Sequence, residues 1–194
     1  MKNNLILVVC LLVSLLMIVN ITFAAEPDFR NVNWGMTIDE VKQKETLDLI
    51  LEENGALMYK TSLAGMDCYL LYDFINQKLC SAMYSIDKEH INENQYIEDF
   101  LKLKNLLIRK YGPPDKDEEI WKRSLYKSDP NYQGFAVSIG DLILASTWET
   151  NKTKIDIVLW GNNYEKVYQN TDSSYGIMHA LYYFCSLWFQ RNCY

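Results

Sequence analysis

Residues able to do covalent or metal chemistry are few and scattered in this 194-residue chain. Its two histidines are His90 and His179. His90 and Glu93 could share a metal ion, but zinc needs three or four converging ligands and nothing adjacent completes the set. Lys88 to Glu93 therefore reads as a solvated charge cluster ahead of a helix. A cysteine–histidine hydrolase would need Cys68, Cys80, Cys185 or Cys193 beside an imidazole, and no local motif supports that. Ser124-Leu125-Tyr126-Lys127 matches the SxxK pattern of acyl-transfer enzymes, which requires the serine at a helix start and the lysine one turn later. Here a strand is expected, and residues three apart on a strand face opposite ways. Asp115, Asp117, Glu118 and Glu119 follow Pro113-Pro114. Paired carboxylates can cleave glycosides, but in a short loop these read as a solvated face. The sequence holds no glycine-rich phosphate loop, GxSxG elbow or HExxH. No catalytic residue, cofactor site or metal-ligand set is assigned.

The N-terminus carries an address. Lys2 is the only charge before Glu26, Leu5 to Val19 is almost wholly apolar, and Thr22-Phe23-Ala24 follows. A basic start, an apolar run and small residues at −3 and −1 form the pattern of an export signal, residues 1–24, cut after Ala24. The run is about 15 residues, short of the roughly 20 needed to span a bilayer. Cys10 sits inside that run, where a lipid-attachment cysteine would not lie. Loss of Lys2 leaves 18 basic against 25 acidic residues, a formal charge of −7 instead of −6. Such a chain, without a basic block, argues against nucleic acid or an anionic membrane surface as partner.

Removing Cys10 leaves Cys68, Cys80, Cys185 and Cys193 as disulfide candidates. Four cysteines in an oxidising compartment permit up to two bonds, in three connectivities. None shows the CxxC spacing of a zinc or redox site.

The elements that would position these residues form an α+β order. Asp28 to Asn33 is an extended lead-in. Thr37 and Glu40 make a capping box, and Ile38 and Val41 begin an apolar stripe, so a helix is expected from Ile38 to about Glu45. Strands are expected over Leu57 to Leu63, Met66 to Phe74 and Leu79 to Ile86, with a tight turn at Ala64-Gly65. A second, amphipathic helix runs from Glu93 to Tyr111 and stops at Gly112-Pro113-Pro114. Strands over Ile120 to Tyr126, Phe135 to Trp148 (broken at Gly140-Asp141) and Thr153 to Trp160 complete a second unit. The fold class is thus α+β, with helix-plus-antiparallel-sheet units in tandem (α-β-β-β, twice) over residues 25–161. A polar connector, Asn162 to Ser174, leads to an aromatic tail, Tyr175 to Tyr194. There Ile177, Leu181, Phe184 and Trp188 fit the spacing of a helix docked on the sheet.

Trp34-Gly35-Met36-Thr37-Ile38-Asp39-Glu40-Val41 resembles the Gly-Met-Thr/Ser-x-x-x-Val start of small exported proteins of the BamE/SmpA-like family. The tandem order is similar to that of the β-lactamase inhibitory protein-like architecture. In the BamE-like family a Leu-Gly-x-Pro turn ends the helical part and an antiparallel sheet follows. The comparable Tyr111-Gly112-Pro113-Pro114 here ends the second helix. The resemblance implies binding or assembly rather than catalysis. The function expected is a non-enzymatic, periplasmic or extracellular module that binds another envelope or secreted protein without a cofactor. Membrane contact would come only through the tail. The alternatives are a small secreted carboxylate-dependent hydrolase and an envelope-associated protein anchored by its aromatic tail. Protein isolated from the native host should begin at Ala25 by intact mass; mature material that retains Met1 or Lys2 would contradict the export reading.

Overall fold

The capping box at the first helix forms as its residue types require. Thr37 Oγ1 accepts from the Glu40 amide at 3.4 Å, and the Glu40 carboxylate accepts from the Thr37 amide at 2.7 Å. Helix α1 (Ile38–Lys44) runs from this cap to Glu45 and buries Val41. The computed structural model describes residues 26–161 and 177–185. The expected leader, the whole connector and the tail except Ile177–Cys185 lie outside them.

After α1 the chain forms four antiparallel strands, β1 (Leu49–Glu53), β2 (Ala56–Leu63), β3 (Met66–Ile75) and β4 (Lys78–Ile86). The turns between them use left-handed residues at Asn54-Gly55, Ala64-Gly65 and Asn76-Gln77. β2 to β4 match expectation, whereas β1 was not foreseen: Leu-Ile-Leu-Glu-Glu has no alternation, and all five residues are exposed on a sheet edge.

Helix α2 (Asn94–Tyr111) buries Phe100, Leu103 and Leu107, and Gly112 caps it with φ 85°. Three further antiparallel strands follow, β5 (Lys116–Trp121), β6 (Leu142–Glu149) and β7 (Thr153–Gly161). Between β5 and β6 the structure corrects the sequence reading. Phe135 to Ile139 was expected as strand but lies in helix α3 (Gln133–Ser138) and its cap. Apolar residues fall on every side of that turn, a pattern that strand and buried helix share. Gly140, at φ 76°, donates to the Val137 carbonyl and ends it. Two glycines let α3 sit this deep. A Cβ on Gly134 would collide with the Glu93–Asn94 backbone, and one on Gly161 with the Val137 and Ser138 carbonyls. β5 also lies earlier than the expected Ile120 to Tyr126, so Ser124 to Lys127 is a turn, closed by the Lys127 amide on the Ser124 carbonyl at 3.2 Å.

The expected tail helix is corrected over its described part, because Ile177–Cys185 is a strand, β8. Its β-branched and aromatic residues suit a strand, and two open edges were waiting for one. β8 pairs antiparallel with β4 through Ser81↔Phe184 to Ser85↔Ala180, and with β7 through Thr153↔Cys185 to Gly161↔Ile177. The two sheets, β1–β4 and β5–β7, thereby become one eight-stranded sheet in the order β1-β2-β3-β4-β8-β7-β6-β5.

One face of this sheet is the core. Leu57, Tyr59, Leu70, Tyr72, Leu79, Ala82, Leu144, Trp148, Ile155, Ile157 and Leu159 are buried there, with α2 and α3 packed over the β7 side. Thr37→Ala should cost about 1 kcal/mol of stability through loss of the capping hydroxyl. A denaturation midpoint equal to the parent's would show that the cap contributes nothing.

Candidate functional site

A buried carboxylate is held by an arginine fork where the lead-in meets the first sheet. Phe29 and Val32 exchange backbone hydrogen bonds at 2.9 and 3.1 Å, so the lead-in expected to be extended is a tight reversal. Arg30, in that reversal, has φ 49°, a left-handed conformation that costs a non-glycine residue about 1 kcal/mol. Its guanidinium holds Glu45 in a fork, Nε to Oε2 at 3.0 Å and Nη2 to Oε1 at 3.1 Å, and Nη1 donates to the Tyr84 hydroxyl at 3.3 Å. The Glu45 side chain is fully buried at the C-terminal cap of α1. It also accepts from the Tyr72 hydroxyl at 2.7 Å and the Thr46 amide at 2.9 Å.

These contacts fix the protonation states. Burial alone would raise the Glu45 carboxyl, but hydrogen bonds from Arg30 and Tyr72 outweigh it and hold the group below the ordinary range. Burial likewise works against Arg30, and the bonds to Glu45 and Tyr84 keep it firmly charged. Burial pushes Tyr72 and Tyr84 upward, with the Glu45 carboxylate adding to the effect on Tyr72. The network is a saturated ionic brace: its carboxylate is fully engaged and its phenols stay protonated.

Aromatic rings surround it. Phe29 stacks on Trp34 at 6.2 Å and meets Tyr72 and Tyr84 at 5.8 and 5.7 Å. Trp34 Nε1 donates to Thr153 Oγ1 at 2.9 Å, which ties the lead-in to β7 in the second unit. A cleft of about 400 Å³ opens beside this brace, lined by Phe29, Arg30, Leu63, Tyr84, Lys110 and Tyr111.

The residues considered from sequence are dispersed. His90 pairs with Asp99 at 2.7 Å rather than with Glu93, and Lys88 shares the same carboxylate at 3.0 Å. Among the described residues no three of His, Cys, Asp and Glu converge as a metal site. Asp117, Glu118 and Glu119 lie on edge strand β5, not in a loop. Asp117 is held by Lys104 and Ser146, and Asp115 accepts from the Glu149 amide. Cys68 is a buried free thiol whose pKa burial pushes up to about 11. Cys80 is buried and donates to the Asp73 carbonyl at 3.3 Å. Cys68 and Cys80 do not pair with each other, because the register sets Cys68 opposite Ile86. Cys185 ends β8, and Cys193 lies outside the described residues.

The sheet face opposite the core is the other feature on a scale to bind something. Met58, Leu71 and Met83 are register partners across β2, β3 and β4, and Ala145 and Val158 across β6 and β7. All five are half-buried, as is Trp160, in contrast to the sealed positions that alternate with them. Sequence reasoning found the strands but not this row, since alternation cannot say which face a helix will cover.

Glu45→Ala would leave the partly exposed Arg30 guanidinium without its carboxylate and should cost about 2 kcal/mol, between an exposed ion pair and a fully buried one. The folded Glu45 carboxyl titrates below its unfolded counterpart. Its contribution is therefore complete above the unfolded value of about 4.3 and is lost as pH falls through the folded one. The parent should lose stability in that acidic window more steeply than Glu45→Gln, as chemical denaturation across pH would record. Comparison with protein-family models, with curated proteins and with solved structures returned no match, so the reading of this site rests on its own geometry.

Proposed function

We propose that this chain is a non-enzymatic, extracytoplasmic binding or assembly module that uses the open face of its antiparallel sheet to hold another envelope or secreted protein. The observation that carries the proposal is the asymmetry of the sheet. One face is sealed by its core, while the other presents Met58, Leu71, Met83, Ala145, Val158 and Trp160 as a partly accessible apolar band. Contiguous apolar surface rimmed by polar residues is the usual mark of a protein contact. Lys60, Asp67, Asp73 and Lys154 supply such a rim. The ionic brace supports the same reading, because it stiffens the platform and holds no group poised to exchange protons near neutral pH. Two of the four carboxylates of the hydrolase reading, Asp117 and Asp115, are held by structural partners. The extracytoplasmic address is drawn from the N-terminal export pattern.

Crosslinking in the native host tests the proposal. The parent chain should capture a defined partner, Leu71→Asp with Met83→Asp should lose it, and Leu125→Asp, at a turn residue 74% exposed, should keep it. Equal capture by all three, or turnover of a glycan or peptide by the purified protein, would overturn it.

A further inference from the structure

The β4–β8 ladder, extended by one step past its last register pair, brings two distant cysteines opposite each other. Its pairs run Ser85↔Ala180, Tyr84↔Leu181, Met83↔Tyr182, Ala82↔Tyr183 and Ser81↔Phe184. The next step of an antiparallel ladder sets Cys80 against Cys185, the last residue of β8. We propose that Cys80 and Cys185 form a cross-strand disulfide that locks β8 between the two halves of the sheet.

Directly opposed residues in an antiparallel pair have Cα atoms about 4.5 or 5.5 Å apart, depending on their place in the hydrogen-bond pattern. Both values lie within the roughly 4.4–6.8 Å that a disulfide spans. The neighbouring ladder agrees, since Cys185 is the register partner of Thr153 on β7. Cys80 also occupies a special backbone position. The β3–β4 register passes from Asp73↔Ser81 to Phe74↔Leu79, so Cys80 is the extra residue of a bulge, the kind of irregularity that re-aims a side chain. Cys68 is no competitor. It stands opposite Ile86, six strand positions from Cys80, or about 20 Å. Burial also holds its thiol far from the reactive thiolate form.

The bond forms by exchange with a disulfide donor, either oxidised glutathione or a dithiol oxidase of the export compartment. One cysteine thiolate attacks the donor to give a mixed disulfide and release one donor thiol. The second cysteine thiolate then attacks the protein sulfur of that mixed disulfide and expels the second donor thiol. Two protein thiols and one donor disulfide become one protein disulfide and two donor thiols, and the protons lost from the cysteines end on the donor sulfurs. The product closes a loop of about 105 residues, in the size range where cross-linking restricts the unfolded chain most. It pins the strand that pairs with both β4 and β7. Oxidation in the cell rests on the export reading given above, whereas the pairing itself does not.

The test is a peptide map of the full chain after equilibration with oxidised glutathione and blocking of free thiols. The expected product links the Cys80 and Cys185 peptides, persists in Cys193→Ser, and disappears in Cys185→Ser with Cys80 alkylated. Oxidised parent should melt several degrees above reduced parent, and that difference should vanish in Cys185→Ser. A link from Cys80 to Cys68 or Cys193, or full alkylation of both Cys80 and Cys185, would overturn the proposal. A pair that forms in glutathione but is reduced in protein acid-trapped from the host leaves the pairing standing and overturns the export reading.

Discussion

Two antiparallel ribbons, each ending on an open edge, set the problem that this fold has to solve. β4 and β7 would each leave a row of backbone N–H and C=O groups unpaired in the middle of the molecule. An open edge of that kind invites aggregation or pairing with another chain. β8 pairs with both at once, five register pairs on the β4 side and nine on the β7 side. β8 follows the other seven described strands in sequence yet lies in the middle of the sheet. Its contacts with β4 are also long in sequence, from Ser81↔Phe184 to Ser85↔Ala180, the kind of non-local pairing that costs most loop-closure entropy.

A second set of contacts works on the same join from the lead-in. The Arg30–Glu45 fork fixes the reversal at Phe29–Val32 against α1 and β3, and Trp34 reaches over to Thr153 on β7. Thr153 is in turn the register partner of Cys185. One corner of the sheet thus gathers the lead-in, β7, β4 and the end of β8, and strain at Arg30 is tolerated because so many partners over-determine its place.

Much of the fold was legible because local chemistry and tertiary need coincided. The Thr37–Glu40 box, the turn at Ala64-Gly65, the stripe of α2 and its stop at Gly112 each follow from residues within one or two turns. The misreadings share the opposite property. Gly134 to Ser138 is apolar all round, and only the close approach permitted by Gly134 and Gly161 decides that it is helix. Ile177 to Cys185 fits either period, and the two vacant edges decide that it is strand. Arg30 and Glu45 carried no local signal at all. Their pairing spans 15 residues and depends on a left-handed turn at an arginine, which no propensity anticipates. The cysteine pattern left three connectivities open, because their spacing in sequence says nothing about which strands will be neighbours.

The central claim is that β8 is an integral strand that welds the sheet, not an appended tail. Hydrogen–deuterium exchange of the native full chain, read by mass spectrometry over peptides covering Ile177–Cys185, tests it most directly. If β8 joins the two halves, its amides will exchange as slowly as those of β4 and β7 and will be released together with them in mild denaturant. Exchange of that segment at the rate of an unstructured peptide, while β4 and β7 remain protected, would contradict the account.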